Sequence, residues 1–304
     1  MSTAFRVVLT GDQEVTSPPG GTGSKASGLG TVIFDSDPVT PTASYSITVE
    51  GVDIGTALGD KPQTPKTGDD VTRVHFHNQE SGVNGGIVFG QISPADDEND
   101  LSIVLNKDHS WTVSGVWDTT DGAVAPGSAS ITNASTIPPF LTFDTILGTA
   151  TVGTEVPLYF NVHTLDHLGG EIRGQLVAIA DDGDNTVGGT AGDDLLPGLG
   201  GNDIMFGGDG KDVMDGGIGN DSLTGGDDAD LFVFNADFGM DIITDLKGPD
   251  QIQFEGLFPD SEAVLAASRQ VGDDVVITWD ENNTITLLDV NLNTLQAHDF
   301  LILA

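Results

Sequence analysis

Residues 189–233 read GTAGDDLLP (189–197), GLGGNDIMF (198–206), GGDGKDVMD (207–215), GGIGNDSLT (216–224) and GGDDADLFV (225–233), five nine-residue units without a gap. Position six is Asp in every unit: Asp194, Asp203, Asp212, Asp221 and Asp230. Position eight is a large apolar residue each time: Leu196, Met205, Met214, Leu223 and Phe232. Position one is always Gly. A weaker sixth unit, ADDGDNTVG, begins at Ala180 and carries Asn185 where the others carry Asp.

This pattern predicts a turn over the first six residues of each unit and a strand over the last three. Glycine permits the left-handed conformations of a tight turn and lets backbones approach closely. Strand alternation points the position-eight side chain inward and its neighbours out. Two units make one coil of a parallel β-roll, so the turns of units n and n+2 stack on one edge. Asp203 then lies under Asp221, and Asp194 under Asp212, with glycine carbonyls around them. Bare carboxylates so close repel and raise one another's pKa. A hard cation that accepts roughly six to eight oxygens removes the conflict, and calcium suits this better than octahedral magnesium. A flexible Gly/Asp linker has no reason to hold both Asp and the apolar residue at a strict period of nine.

The pattern G-G-x-G-x-D-x-U-x resembles the calcium-binding repeat of RTX proteins, which implies a calcium-loaded β-roll. The candidate calcium ligands are Asp194, Asp203, Asp212, Asp221, Asp230, Asn185 and Asp241. Backbone carbonyls near Gly189, Gly198, Gly200, Gly207, Gly208, Gly210, Gly216, Gly217, Gly219 and Gly225 complete the set.

The 304-residue chain is long enough for two domains with cores of their own. Its net charge of −37, from 47 acidic and 10 basic residues, argues against nucleic acid or an anionic membrane as partner. Residues 181–304 hold 26 acidic and 3 basic residues, so self-repulsion is strongest where the repeats lie. There is no Cys, which excludes disulfides and thiol ligands. The opening MSTAFRVVLTGDQ lacks a charged segment followed by an apolar run, so a signal peptide of that kind is not expected there. No stretch has the length and apolarity of a membrane-spanning helix.

Before the repeats, alternating runs recur between Gly, Pro, Asp and Asn clusters: FRVVLTG, GLGTVIFD, ASYSITVEG, VTRVHFHN, GGIVFGQI, SIVLN, SWTVSGVW, PLYFNVHT and GEIRGQLVAI. Nine short strands predict an all-β, antiparallel sandwich or barrel-like domain over residues 1–179. FRVVLTGDQEV near the start, VHFHNQESGVNGGIV in the middle and LYFNVHTLDHLGGEIRGQL near the end resemble the chordin-type (CHRD) domain. That resemblance implies a fold and no shared catalytic activity.

His75 and His77 stand two apart on one predicted strand and so share a face. His163 joins them if the closing segment pairs nearby, and three imidazoles suit copper or zinc. The H-x-H strand is similar to the copper strand of copper/zinc superoxide dismutase, although the rest of that ligand set is not evident. Histidines that only hydrogen-bond to nearby Asp and backbone groups are the simpler alternative. Glu171 and Arg173 share a face and are expected to pair. Trp111 and Trp117 are expected in sheet packing. Asp96, Asp97, Glu98 and Asp100 form an acidic loop, solvated by default.

Residues 180–188 form the hinge and the degenerate first repeat, and the roll is expected to continue straight from the first domain as a semi-rigid rod. The roll spans 180–244 and a β-rich cap 245–304. Gly239, Asp241 and Ile243 echo positions four, six and eight in a shifted register, resembling the capping segment of RTX modules. SEAVLAASRQ predicts one helix, followed by strands in DDVVITWD, NTITLLDV and DFLILA. The acidic, Lys-poor ending with its apolar tail resembles the uncleaved signal of type I secretion.

These features predict a secreted, extracellular, non-enzymatic calcium-binding structural protein of a surface layer, biofilm or adhesive matrix. Its expected partners are calcium, copies of itself and the type I secretion apparatus, without nucleic acid or membrane insertion. No H-E-x-x-H and no G-x-S-x-G occurs in the chain. A metal carrier or superoxide dismutase-like metalloenzyme using the three histidines, and an adhesin for glycans or proteins, are the alternatives.

Overall fold

The computed structural model describes residues 1–13, 21–37, 39–59, 61, 63, 68–79, 86–92, 101–117 and 146–303. The acidic loop at 96–100 lies outside them. The chain divides into two compact units, Met1–Ala178 and Ile179–Ala304. Among the described residues no helix is long and apolar enough to cross a membrane.

All nine runs of the first unit form strands: β1 (Ser2–Thr10), β2 (Ser27–Asp35), β3 (Thr42–Glu50), β4 (Val71–Asn78), β5 (Gly86–Ile92), β6 (Ser102–Leu105), β7 (Trp111–Trp117), β8 (Glu155–Thr164) and β9 (Ile172–Asp181). They build one sheet in the order β5-β4-β8-β9-β1-β2-β3-β7-β6. Of the two forms open to the sequence, this is the barrel-like one: an antiparallel half-barrel. The order brings β9, from the end of the unit, beside β1, and β8 beside β4.

β3 shows how the pattern produces the sheet. In TASYSITVE, residues Ala43, Tyr45, Ile47 and Val49 are buried and alternate with more exposed polar residues. Their apolar faces join Phe5, Val7, Phe34, Phe76, Phe160 and Val162 in a single core. Each such side chain contributes about 1.5–3 kcal/mol by leaving water. Trp111 and Trp117 are buried in the same core, and Trp117 stacks on Phe76 at 5.9 Å. β8 differs, because both of its faces are covered. Leu158, Phe160 and Val162 enter the core, while Tyr159, Asn161 and His163 are buried on the opposite side.

The second unit is a parallel β-roll with two sheets. One contains β10 (Thr186–Gly188), β12 (Ile204–Gly208), β14 (Ser222–Gly226) and β16 (Met240–Ile243). The other contains β11 (Leu195–Pro197), β13 (Val213–Asp215), β15 (Leu231–Phe234) and β17 (Gln251–Glu255). Registers step by one coil, placing Met205 beside Leu223 and Met214 beside Phe232. Val187, Leu196, Met205, Met214, Leu223, Phe232, Ile243 and Ile252 are all buried between the sheets.

The end of the chain extends both sheets. Antiparallel β18 (Ser268–Val271) and β19 (Asp274–Thr278) lead to β20 (Thr284–Leu287), which lies parallel to β16. β21 (Phe300–Leu303) pairs with β17. Phe234, Phe238, Phe254, Phe258 and Phe300 close the last layer of the core. The expected helix is shorter than SEAVLAASRQ. It spans Ser261–Ala267, capped by Asp260, whose carboxyl accepts the Ala263 N–H. Ser268, Arg269 and Gln270 belong to β18, because the two-residue turn at Gly272-Asp273 (Gly272 φ +67°) folds them back onto β19.

Candidate metal centres

The aspartates form two columns, one on each edge of the roll. On the first edge, the Asn185 N–H donates to Asp203 Oδ1 at 2.7 Å, the Asp203 N–H to Asp221 Oδ1 at 2.8 Å, and the Asp221 N–H to Asp241 Oδ1 at 2.8 Å. On the second edge, Asp194 donates to Asp212, Asp212 to Asp230, and Asp230 to Asp250 in the same way. One carboxylate oxygen thus binds its neighbouring turn. The other, Oδ2, is buried without a hydrogen-bond partner at Asp203, Asp212, Asp221 and Asp230.

Those oxygens sit in glycine-walled niches. A Cβ on Gly198 would lie 2.6 Å from Asp203 Oδ2 and against the Gly216 carbonyl. Gly189 and Gly207 are enclosed similarly, by the Gly207 and Gly225 carbonyls and by Asp194 and Asp212. The carbonyls of Gly208 and Gly219 face the next turns, at Gly226 and Gly239, while Gly200 bridges to Ile218. Gly210 (φ +111°) and Gly217 (φ +85°) hold left-handed turn positions. In the second unit Leu199 holds the position of Gly217 at φ +74°. Asn185 differs from the aspartates above it, because its Oδ1 accepts the Asp181 N–H and closes its own turn.

Burial pushes the Asp203 carboxyl up to about 7, Asp212 to about 6 and Asp241 to about 8; backbone hydrogen bonds oppose the shift and neighbouring carboxylates add to it. Asp221, Asp230 and Asp250 are raised by burial as well. A site of buried, partnerless carboxylate oxygens flanked by carbonyls has the donor set a hard cation requires.

Several participants escaped the sequence reading. Asp250 continues the second column, two residues before the buried Ile252, repeating the spacing of Asp241 and Ile243. Position five forms a second ladder, in which Asn202 N–H donates to Asp184 Oδ1 and Asn220 N–H to Asn202 Oδ1. Asp/Asn at position five in four of the six units was the available clue. Lys247 sits at the top of the second edge, donating to the Gly226 carbonyl and lying 3.8 Å from Asp245.

In the first unit His75, His77 and His163 come together, all three buried, with their ligand atoms within 4.8 Å of one another. His75 Nε2 and His163 Nε2 are 2.9 Å apart, and His163 Nδ1 lies 3.0 Å from the Leu168 carbonyl. Burial, then His77 and His163, push the His75 imidazole down to about 2; burial also lowers His163. Glu171 accepts hydrogen bonds from Ser24 and Thr164 and lies 3.6 Å from His167. The Arg173 guanidinium lies 3.5 Å over the Tyr159 ring.

The CHRD domain family matches residues 5–176, and the RTX calcium-binding nonapeptide repeat matches residues 179–214 and 206–240. No curated protein matches the chain. Among solved structures, the AlgE6R3 subunit of the Azotobacter vinelandii mannuronan C5-epimerase is 28% identical over 40% of this chain and 78% of its own, with a TM-score of 0.33. The AlgE6R2 subunit of that epimerase is 26% identical over 41% and 91%, with a TM-score of 0.35. The extracellular lipase LipA from Serratia marcescens is 25% identical over 48% and 24%, with a TM-score of 0.36. The carboxylate columns line the edges of a β-roll built from RTX calcium-binding repeats.

Proposed function

We propose that this chain, which belongs to the CHRD domain family, is a secreted structural protein of the cell surface or extracellular matrix whose repeat half folds in response to extracellular calcium. The observation that carries the reading is the set of buried Oδ2 atoms at Asp203, Asp212, Asp221 and Asp230. Asp203, Asp221 and Asp241 would hold ions along one edge, and Asp194, Asp212, Asp230 and Asp250 along the other, with the glycine carbonyls. Bound calcium supplies the positive charge that lets these carboxylates stay ionised while buried.

Where calcium is scarce, the repeat half carries its charge unneutralised and remains extended enough for export. The RTX repeats support a type I route. Outside, at about 10⁻⁴–10⁻³ M calcium, sites of the extracellular class fill, and their binding energy becomes folding energy. The matrix role is supported by the −37 charge, which calcium can bridge between chains, and by β5 and β6, the outer strands of the sheet among the described residues.

Two measurements test this. Circular dichroism of the chain titrated with calcium is expected to show strand content rising from a chelated baseline. Strand content already complete in chelator defeats calcium-driven folding. Light scattering and electron microscopy in millimolar calcium are expected to show assemblies that chelator dissolves, whereas monodisperse monomers at high protein concentration defeat the matrix role.

A further inference from the structure

We propose that His75, His77 and His163 bind one divalent transition-metal ion, copper(II) in preference to zinc, at a site separate from the calcium turns. Three adjacent strands of the half-barrel build it. β4 contributes His75 and His77, β8 contributes His163, and β9 contributes Arg173, which lies over Tyr159. The alternation of β4 and β8 explains the face. Val74, Phe76, Phe160 and Val162 are in the apolar core, so the intervening His75, His77, Asn161 and His163 are presented on the other side.

Each neutral arrangement of these rings leaves a polar atom poorly placed. His163 Nδ1 is 3.0 Å from the Leu168 carbonyl, so it carries the proton and its Nε2 is a bare lone pair. That Nε2 faces His75 Nε2 at 2.9 Å. If His75 donates there, its Nδ1 is left as a buried acceptor with no partner. If His75 carries its proton on Nδ1, two lone pairs oppose each other at hydrogen-bond distance. A shared cation removes the second conflict and uses both nitrogens as ligands.

The backbone carbonyl on His163 Nδ1 is the outer contact that orients a metal-binding imidazole. His77 is oriented by stacking on Tyr159, at 4.7 Å between centroids and 5° between planes, with Arg173 on Tyr159 as well. Asn161 Oδ1, buried and without a partner, lies opposite His75 in the β4–β8 register and is available to an ion's water.

Geometry selects the metal. Two nitrogens 2.9 Å apart, each about 2.0–2.1 Å from one ion, subtend about 90° at it. A right angle suits the tetragonal preference of copper(II) better than tetrahedral zinc, and copper(II) also binds nitrogen donors most tightly among the divalent first-row ions. The acidic turns offer only oxygen, so the two classes of site differ in their preferred ions and in their spectra.

The test uses the whole 304-residue chain in saturating calcium, titrated with copper(II) and followed by electron paramagnetic resonance. One tightly bound ion per chain is expected, with hyperfine coupling to histidine nitrogens. A His75→Gln/His163→Gln double variant is expected to lose that signal, while His298→Gln, at an exposed position, keeps it. Copper that shows only oxygen coordination in the wild-type chain overturns the proposal, as does a nitrogen-coupled signal that survives in a folded double variant. If the double variant does not fold, the wild-type spectrum and stoichiometry decide: no stoichiometric nitrogen-coordinated copper means no site.

Discussion

Asp203→Asn separates the two roles of a stacked carboxylate. Asp203 is 1% exposed, accepts the Asn185 N–H at 2.7 Å through Oδ1 and leaves Oδ2 buried beside Gly198. An amide with its oxygen on that N–H keeps the hydrogen bond and removes the charge. At pH 8 the native carboxyl, pushed up to about 7 by burial, is ionised in surroundings that disfavour its charge by at most about 4 kcal/mol. In chelator the substitution is therefore expected to stabilise the roll, by about 1–4 kcal/mol. In calcium the sign reverses, because affinity depends on the number of ligand charges. Losing one is expected to raise the calcium concentration at half-folding about tenfold or more, equivalent to about 1.4 kcal/mol. Far-UV circular dichroism at constant temperature measures both, as the strand signal that remains in chelator at pH 8 and as the midpoint of the calcium titration. A variant that is less stable in both conditions, or unchanged in both, refutes the reasoning that the buried charge is a liability relieved by the ion.

The same carboxylates give a pH dependence whose direction is fixed. The folded chain retains protons on Asp212, Asp203 and Asp241 up to about 6, 7 and 8, whereas the unfolded chain releases them near 3.8. In chelator, the strand signal that remains should therefore fall as pH rises from about 4 to 8, being larger at pH 5 than at pH 8; a rising profile contradicts this. Gly207→Ala places a methyl group against Asp212 Oδ2 and the Gly225 carbonyl, and is expected to cost about 1–3 kcal/mol in calcium. Gly188→Ala, with open space at the equivalent point, is the near-neutral control, so equal losses in the two variants would discount the niche. Leu199→Gly relieves φ +74° at a position where other units have glycine, and should raise stability by about 1 kcal/mol in thermal unfolding.

The roll was legible because its determinants are local and periodic. An Asp and an apolar residue two apart, repeated every nine, set both the turn and the inward face. That legibility ended where the period changed. Asp241 and Asp250 each stand twenty residues beyond their column partners rather than eighteen, and only the first kept enough of the glycine pattern to be noticed. Lys247 carries no repeat signature, and its place beside Asp245 follows from the cap's path. In the first unit, alternation located all nine strands, but their order depends on pairings between distant segments. The neighbourhood of β9 and β1, and the approach of His163 to His75 across 88 residues, are properties of that order. The helix was overextended because Ser268 to Gln270 fit a helix locally, while the Gly272 turn commits them to a hairpin.

The coil of the roll contains two repeats, so adjacent units belong to opposite sheets and opposite edges. Length can therefore change only in pairs without rebuilding the molecule. Removing residues 198–215 would delete one rung from each column and still deliver the chain to its aromatic lid on the correct side. Removing a single nonapeptide would hand every later strand to the wrong wall and present the lid to the wrong rim. Duplication and loss in such an array are thus quantised at eighteen residues, and natural or engineered variants in ion capacity should come in even steps.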